Sequence, residues 1–393
     1  MTAIYLQAHS CVCALGDTPE AIRAGLWSDA PSGVAPSDAY TPGRMLALGR
    51  VAAPLPSVGH LPAAQRSRNN ALLLAALAPL LGAAQAAIAR FGPSRVAVVL
   101  GVSTAGLDEG VAALRLHEAG APWPPGYDYA LQEMGNAAQC VARLLGSTGP
   151  AYAISTACSS GAKALATGAR LLRSGAVDAV VAGGGDALSS FTIAGFAALD
   201  AVSAERCNPL SRHRSGINIG EGAALFLMGR DEGPVRLAGW GETADAHHMS
   251  APDPTGRGAA DAMRRALARA GVAAGDVDYV NLHGTATDLN DEMESLAVAS
   301  VLGRDVPVSS TKPLTGHALA AAGAIEAAIA WHTLVDNPRG LLPVHWWDGV
   351  ADEGLPALRL VTPGLALSRP VRTVLSNSFA FGGSNATLLF AQP

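Results

Sequence analysis

Charged and aromatic residues are both scarce in this 393-residue chain. Only 15% of the residues are charged and 5% are aromatic, whereas 49% are hydrophobic. Disordered proteins show the opposite balance, so the composition predicts a well-buried globular protein. Its 27 basic and 32 acidic residues give a net charge of -5, and no run of basic residues occurs. We therefore expect no nucleic-acid partner.

The chain also lacks the cysteine patterns of a disulfide framework or a zinc finger. Its five cysteines are scattered, with no CxxC pair and no Cys/His grouping at metal-binding spacing. These features predict reduced thiols and no metal site. The first residues, MTAIYLQAHSCVCALGD, contain no basic segment followed by a long apolar one. We therefore expect no secretory signal and a cytoplasmic location.

One uncharged stretch, residues 69–89, approaches the length of a membrane span. It is rich in alanine and contains Pro79 and Gln85. These residues favour a core helix that is apolar on all sides. We therefore expect no membrane-spanning segment.

Short β-branched runs alternate with alanine- and leucine-rich helical stretches, which predicts an α/β fold with buried strands. The candidate strands lie at 95–102, 151–155, 177–184, 223–229, 277–284, 306–310, 373–379 and 386–391. The candidate helices lie at 69–90, 160–174, 258–270, 290–301 and 318–335. Residues 170–186 and 265–284 both run from a helix through a glycine turn and Val-Asp into a buried strand. This likeness indicates two similar halves.

The segment STACSSG, residues 155–161, places Cys158 between small residues. A strand pattern precedes it, and a helical pattern follows it. At the start of a helix, unpaired N–H groups and the helix dipole would stabilise a thiolate. Small neighbours leave room for a substrate to approach. Cys158 is therefore a candidate nucleophile, with a buried inert cysteine as the alternative.

Two of the ten histidines follow apolar strands and lie beside glycine and threonine. His283 ends the strand pattern VDYVNL, and His317 lies in SSTKPLTGHALAAAGAIEAA together with Lys312 and Glu326. Open α/β sheets place their sites at the carboxyl ends of strands, so these histidines and Cys158 form a candidate constellation. The other eight histidines are not catalytic candidates. Five of them lie in segments without a further catalytic signal, and three, His213, His247 and His248, lie in polar loops that favour solvated or hydrogen-bonding roles.

Four segments resemble the motif blocks of elongating β-ketoacyl-[acyl carrier protein] synthases, which belong to the thiolase-like superfamily. They are STACSSG, NLHGTATDLNDEMESLA, SSTKPLTGHALAAAGAIEAA and SNSFAFGGSNATLLF, and they occur in the family's order. The resemblance implies two similar βαβαβαββ halves that form a layered αβαβα structure. Residues 1–240 would form the half with the nucleophilic cysteine, and residues 241–393 the half with the two catalytic histidines.

The resemblance also implies roles for individual residues. The catalytic residues that it implies are Cys158, His283, His317, Lys312 and Glu326. Cys158 would receive the acyl group, and its backbone N–H and that of Phe381 would form the oxyanion hole. Phe381, with Gly382 and Gly383, would gate the cysteine between two half-reactions. The residues expected to contact the substrate and its pantetheine arm are Thr285, Thr287, Phe379 and Ser250.

Some of these roles have simpler alternatives. Lys312 and Glu326 either brace the loop as a salt bridge or tune the pKa values of the histidines. Thr285 and Thr287 either bind the pantetheine arm or satisfy backbone groups of their turn. Asp291 and Glu294 lie three apart on one helix face, and we expect them to be structural.

The implied activity is a decarboxylative Claisen condensation for chain elongation. Malonyl-carrier loses carbon dioxide, and the resulting carbanion attacks an acyl chain held as a thioester on Cys158. Acyl carrier protein is the implied partner, and the reaction requires no metal or redox cofactor because the phosphopantetheine arm carries the substrates. Family members are dimers. Two segments, YAISTACSS and SGINIGEG, further resemble ketosynthases of aryl-polyene and related pathways. Housekeeping fatty-acid elongation is the alternative. The aryl-polyene resemblance implies either a homodimer or a heterodimer with a chain-length-factor-like ketosynthase.

The chain departs from the family pattern at a few positions. Ser211 and Ser215 stand where aspartates are common, which puts local salt bridging and carrier docking in doubt. Ala380 and Ala320 replace glycines. The Cβ of Ala380 restricts φ, so we expect a stiffer gating turn.

Three other functions are alternatives. A non-decarboxylating, thiolase-type acyltransferase would pair the nucleophile with His and Cys or with His and Asn, whereas the third position here is His317. A non-catalytic chain-length subunit would form no acyl adduct. A cysteine protease would need a substrate cleft, and no signature of one accompanies Cys158.

Overall fold

The computed structural model describes residues 2–28 and 33–393. Its strands are β1 (Tyr5–Val12), β2 (Val34–Ser37), β3 (Leu46–Gly49), β4 (Val96–Gly101), β5 (Ala151–Ile154), β6 (Ala179–Asp186), β7 (Gly222–Gly229), β8 (Val235–Ala244), β9 (Tyr279–Asn281), β10 (Pro307–Ser309), β11 (Arg359–Leu360), β12 (Thr373–Ala380) and β13 (Ser384–Ala391). Its α-helices are α1 (Pro19–Leu26), α2 (Arg68–Leu77), α3 (Leu81–Phe91), α4 (Leu107–Glu118), α5 (Gly135–Leu145), α6 (Ser160–Arg173), α7 (Ser190–Ala197), α8 (Arg257–Ala270), α9 (Asp288–Leu302), α10 (Lys312–Thr315) and α11 (Ala322–Leu334).

Eleven of the strands form one mixed sheet in the order β11-β10-β9-β12-β13-β8-β1-β7-β6-β4-β5, and β2 pairs with β3 separately. Only the residue pairs Tyr5–Arg236 and Leu6–Val235 join β1 to β8. The long sheet is therefore two half-sheets that meet at a narrow seam.

The two half-sheets have the same topology. The first has the order β5-β4-β6-β7-β1, and the second has the order β10-β9-β12-β13-β8. In each, the first three strands are parallel and the last two are antiparallel. The prediction of two similar halves is thus confirmed by topology, although the first strand of the second half, β8, already begins at Val235. The predicted boundary between residues 240 and 241 falls inside that strand, so it must move towards the N-terminus.

The likeness between residues 170–186 and 265–284 does not pair equivalent elements. The first stretch ends in β6, which occupies the place of β12. The second ends in β9, which occupies the place of β4. A helix, a glycine turn and a buried strand recur at many points of an α/β fold, so their similarity does not establish equivalence.

The helices and half-sheets form five layers with three large apolar cores between them, and the central core extends over both sides of the middle layer. The central layer consists of α6 and α11, which contact each other; α6 packs on β4 and β6, and α11 packs on β12 and β7. Helices α2 and α5 cover the other face of the first half-sheet. Helices α8 and α9 cover the other face of the second half-sheet. Alternate residues of each strand face different cores, as expected for strands buried on both faces.

The long apolar stretch forms two helices rather than the single helix predicted at 69–90. Pro79 lies in a short 3₁₀ turn between α2 and α3, because proline lacks the N–H that would continue the first helix. Residues 68–91 have the length and composition of a membrane span, and half of their most apolar window is buried inside the protein. Helix α2 packs on β6 and β7 and buries Asn69 and Asn70, as a core helix does.

Candidate active site

Cys158 lies in the turn between β5 and α6. Ala157, the residue before it, has a φ of 50°, a left-handed conformation that is uncommon for residues with a Cβ. Ser160 stabilises this turn, because its Oγ donates to Ala157 O at 2.5 Å and accepts from Thr156 N at 2.8 Å. The turn, hereafter the nucleophile turn (residues 156–160), carries Cys158 at its tip.

The structure brings Cys158 and the two histidines together. His317 Nε2 lies 3.0 Å from Cys158 Sγ. The His283 and His317 rings meet edge-on with their centroids 5.3 Å apart. All three side chains are buried, and their ligand atoms lie within 4.8 Å of one another, a spacing that a metal ion would also accept. One sulfur and two imidazoles therefore share one small volume.

The Cys158 thiol is neutral in this environment. Burial raises the pKa of Cys158 to about 12, and the positive charge of Lys312 offsets only part of that effect. Burial thus opposes the stabilisation of a thiolate that is expected at the start of a helix, because the sulfur loses its contact with water. The nearest acceptor for the thiol proton is His317 Nε2.

Both histidines are neutral as well. Burial and the nearby charge of Lys312 hold the pKa of His283 and of His317 well below the usual value. Lys312 Nζ lies 3.3 Å from His283 Nδ1 and 2.5 Å from Glu326 Oε1. Because an ammonium group can only donate, His283 Nδ1 accepts, and the ring proton of His283 resides on Nε2. Lys312 thus contacts the groups on which both alternatives depend: it pairs with Glu326, and its charge lies beside His283.

Two carboxylates of α9 bind the backbone around His283. Glu294 accepts the N–H of His283 at 2.8 Å and that of Gly284 at 2.7 Å. Asp291 accepts the N–H of Ala286 at 3.2 Å. Burial raises the pKa of Glu294 to about 7, although these N–H groups favour its charged form. These contacts fit the structural role expected for both carboxylates.

A cavity of about 340 Å³ opens onto Cys158, His283 and His317. The residues predicted to contact the substrate all line it; they are Thr285, Thr287, Phe379 and Ser250. Thr285 Oγ1 and Thr287 Oγ1 lie 2.9 Å apart, so the two hydroxyl groups bond to each other while facing the cavity.

Phe381, Gly382 and Gly383 form the turn between β12 and β13, hereafter the gating turn, and Phe381 lines the cavity. The φ values of 81° at Gly382 and 71° at Gly383 are left-handed, which glycine adopts without a penalty. The Phe381 ring packs against Phe196 with the centroids 5.6 Å apart. Ala380 has a φ of -100° in extended backbone, so its Cβ adds no strain, and the stiffer turn stays a prediction.

Asp186, the last residue of β6, also supports the site, although no sequence motif indicated it. It is fully buried and accepts the N–H groups of Ser103 at 2.8 Å, Thr104 at 2.9 Å and Ala320 at 2.8 Å. Through Ala320 it holds the segment that follows His317. The available signal was an acidic residue at the carboxyl end of an apolar strand, directly after three glycines.

The serines that replace the family's aspartates do not leave their segment without ion pairs. Ser211 Oγ donates to Asp348 at 2.9 Å. The neighbouring Arg214 pairs with Asp352 at 2.5 Å. Carboxylates from residues 348–352 therefore supply the local ion pairing that Ser211 and Ser215 lack.

Comparisons with known proteins agree with this geometry. A 3-oxoacyl-[acyl-carrier-protein] synthase 2 of Rhizobium meliloti (strain 1021) is 38% identical over 260 residues, which cover 61% of this chain and 60% of that protein. The chain thus spans about three fifths of the length of this curated relative. Among solved structures, the ketosynthase ApeO, in complex with its chain length factor ApeC from Xenorhabdus doucetiae, is 41% identical with a TM-score of 0.93. That match covers 100% of this chain and 98% of ApeO, and it confirms the thiolase-like fold implied by the sequence motifs.

Two family models match the chain in sequence order. The N-terminal domain of β-ketoacyl synthase matches residues 30–233, and the C-terminal domain matches residues 235–337. The second match begins at Val235, the first residue of β8, where the second half-sheet begins. The topology, the three converging turns and both matches therefore agree, and the chain belongs to the β-ketoacyl synthase family.

Proposed function

We propose that this protein is an acyltransferase that elongates acyl chains by decarboxylative condensation of malonyl-carrier with an acyl group held on Cys158. The observation that carries the proposal is the contact of Cys158 Sγ with His317 Nε2 beside a second neutral histidine, in one cavity. A sulfur nucleophile, a proton acceptor and a second N–H donor are the groups that the two half-reactions need.

In the first half-reaction, His317 Nε2 takes the Cys158 proton, and the sulfur attacks the thioester carbonyl of an acyl-carrier. The new C–S bond forms, the old one to the pantetheine sulfur breaks, and the pantetheine thiol leaves with the proton. The backbone N–H groups of Cys158 and Phe381 would bind the oxyanion of the tetrahedral intermediate. A thiol with a raised pKa needs this adjacent base, because very little thiolate exists near neutral pH.

In the second half-reaction, the bond between the malonyl carboxylate and its methylene carbon breaks and releases carbon dioxide. The electron pair forms an enolate, whose oxygen accepts hydrogen bonds from His283 Nε2–H and from His317, whose ring carries its proton on Nε2 once Cys158 is acylated and needs no proton acceptor. The carbanion then attacks the acyl carbonyl on Cys158, the Cys158 C–S bond breaks, and the sulfur takes up one proton from the solvent, passed on by His317. Lys312 and Glu326 support this step by holding His283 with its proton on Nε2.

No metal or redox cofactor takes part in these steps as we propose them. Each step moves electron pairs and protons between the substrates, Cys158 and the histidines, and nothing is oxidised or reduced. The substrates would arrive on the phosphopantetheine arm of acyl carrier protein, with Ser250, Thr285, Thr287 and Phe379 along its path.

We further propose a cytoplasmic dimer, formed with a second copy or with a chain-length-factor-like ketosynthase. The 41% identity to a ketosynthase solved with its chain length factor favours the heterodimer. Strand β5 lies at the edge of the sheet and exposes Tyr152, so its unpaired backbone groups are available to a partner strand.

The five cysteines are free and buried, which fits a reducing compartment such as the cytoplasm. The elongated chains belong to fatty-acid or to polyene and polyketide synthesis, and mass spectrometry of trapped acyl groups distinguishes these pathways.

The proposal is tested by following both half-reactions in one experiment. Intact mass spectrometry after incubation with acyl-carrier should show a single acyl adduct, absent from Cys158→Ala. Addition of malonyl-carrier should release carbon dioxide and form a β-ketoacyl-carrier. An adduct without carbon dioxide would indicate the thiolase-type alternative, and the absence of any adduct would indicate a non-catalytic chain-length subunit.

A further inference from the structure

The chain contains only two lysines, Lys163 and Lys312, whereas its other basic residues are all arginines. Lys312 belongs to the site described above. Lys163 lies in the first turn of α6, shortly after Cys158, and is half-buried. None of the roles assigned so far uses Lys163.

The position of Lys163 is unfavourable for a cation in two respects. The first turn of a helix carries the positive end of the helix dipole. Burial also lowers the pKa of Lys163, and the charge of Glu242 offsets only part of that effect. A lysine kept at such a position needs a compensating contact.

That contact is with the first residue after the gating turn. Lys163 Nζ donates to Ser384 Oγ at 2.6 Å. Ser384 opens β13 directly after Gly383, and it pairs across the base of the turn with Ala380. Lys163 therefore binds the gating turn to the helix that begins beside Cys158.

The hydrogen bonds beyond Ser384 have a defined direction. Ser159 Oγ lies 3.0 Å from Ser384 Oγ and 2.8 Å from Thr156 O. A carbonyl oxygen can only accept, so Ser159 donates to Thr156 O, and Ser384 must donate to Ser159. The chain of donors runs from Lys163 through Ser384 and Ser159 into the nucleophile turn. Ser159 is fully buried and adjacent to Cys158.

We propose that Lys163 is a positioning residue. Through Ser384 and Ser159, it holds the gating turn in a fixed position relative to the nucleophile turn. The inference rests on the proposed function. If Phe381 gates the two half-reactions, malonyl-carrier should lose carbon dioxide only after Cys158 has been acylated. A gating turn released from Lys163 admits malonyl-carrier before Cys158 is loaded. Carbon dioxide is then released, the carbanion takes up a proton from water, and acetyl-carrier forms in place of a condensation product.

The test compares the yield of β-ketoacyl product per carbon dioxide released in Lys163→Met and Ser384→Ala. Lys163→Met keeps the aliphatic stem and removes the ammonium group, and Ser384→Ala removes the hydroxyl group that links the two turns. We expect the yield to fall by about threefold or more in each, while the rate of acyl-Cys158 formation stays within about twofold of the parent. The double variant should be no worse than either single variant, because both break the same chain of hydrogen bonds.

Three control variants separate this effect from general damage. Lys163→Arg keeps a cationic donor and Ser384→Thr keeps the hydroxyl group, so both should restore the parental yield. Thr167→Val, one turn further along α6, should leave the yield unchanged. Yields equal to the parent in both test variants, or additive losses in the double variant, would overturn the inference. A parent protein that forms no acyl-Cys158 adduct would instead overturn the proposed function.

Discussion

The two halves of the molecule have the same strand topology but carry different chemistry at equivalent turns. The turn after β5 carries the nucleophile Cys158, and the equivalent turn after β10 leads to Lys312 and His317. The turn after β4 carries Ser103 and Thr104, whereas the equivalent turn after β9 carries His283. Topology thus brings the turns together, and the residues at each turn determine which half supplies the nucleophile and which supplies the proton-transfer groups.

The electrostatics of the two halves differ in the same way. In the second half, a buried cation meets a buried carboxylate, Lys312 with Glu326. In the first half, the buried Asp186 is bound by N–H groups and hydroxyl groups of Ser103 and Thr104. A buried carboxylate can be stabilised by either means, but only the first places a positive charge beside His283. The Lys312–Glu326 pair therefore tunes the histidines, whereas Asp186 orders the backbone.

The largest expected effects come from removing the nucleophile of the first half or the histidines of the second half, because these residues serve different reaction steps. We predict that Cys158→Ala loses the acyl adduct completely, because the nucleophile of the first half is absent. His283→Ala and His317→Ala should lower decarboxylation by about 100- to 1,000-fold each, since each removes a hydrogen-bond donor to the enolate. Part of the acyl transfer should survive in His283→Ala, whereas His317→Ala should lose most of it as well, because the Cys158 thiol then lacks its proton acceptor. Intact mass spectrometry and carbon dioxide release measure the two steps, and equal loss of both steps in His283→Ala would contradict the division.

The next largest effect breaks the ion pair of the second half. Lys312→Met leaves the Glu326 carboxylate buried without its cation, which should lower the free energy of unfolding by roughly 3–5 kcal/mol. The double variant Lys312→Met/Glu326→Leu should regain most of that stability, because no unpaired charge remains. Decarboxylation should stay impaired in the double variant, since His283 Nδ1 has lost its donor. Chemical denaturation together with carbon dioxide release checks both parts, and recovery of activity in the double variant would show that the pair only braces the loop.

A pH-dependent effect should arise at His345, a buried histidine of the second half. His345 Nδ1 accepts the N–H of Ser310 at 3.1 Å, just before α10, and burial lowers the pKa of His345 to about 4. As the pH falls below 6.5, the unfolded chain binds a proton at this histidine before the folded chain does. The contribution of His345 to the free energy of unfolding should therefore decrease from pH 6.5 to about pH 4, by roughly 3 kcal/mol at most.

The variant His345→Gln isolates this contribution. Its stability difference from the parent should shrink as the pH falls through that window, because only the parent loses stability at this position. Glu294, with its raised pKa, contributes with the opposite sign, but it is present in both proteins and cancels in the difference. The turn after β5 is held by serine hydroxyl groups, which do not titrate there. A stability difference between the parent and His345→Gln that stays constant from pH 7 to pH 4 would contradict this prediction.

The smallest expected effect concerns the carboxylate of the first half. Asp186→Asn replaces one acceptor oxygen by a donor, so a buried N–H group loses its partner at a cost of about 1–3 kcal/mol. Decarboxylation should fall more than acyl transfer, because Asp186 reaches the His317 segment through Ala320. Ser103→Ala removes a donor rather than the acceptor and should cost less. Thermal unfolding and the two half-reactions provide the readout, and a larger loss in Ser103→Ala than in Asp186→Asn would refute the role of Asp186.

Much of the fold was predictable because buried strands leave clear local patterns. The eight predicted strands correspond to β4, β5, β6, β7, β9, β10, β12 and β13. Strands β1 and β8 were missed, because YLQAHSCV and VRLAGWGETA interleave polar residues and glycines with apolar ones. In β8, Gly239 and Gly241 are needed where α8 approaches closely: a Cβ would lie 2.1 Å from Ala266 O at Gly239 and 1.8 Å from Ala262 O at Gly241. Such a contact between distant segments has no local signature.

The family, the nucleophile and the two histidines were predictable from residue types and motif order, because chemistry at strand ends requires particular side chains in particular turns. The charge states were decided only by folding. Enclosure of Cys158 raises its pKa against the helix dipole, and the approach of Lys312 to His283 selects the tautomer. The links from Asp186 to Ala320 and from Lys163 to Ser384 join residues far apart in the chain. Electrostatic energy depends on distance and burial, and both are properties of the folded molecule.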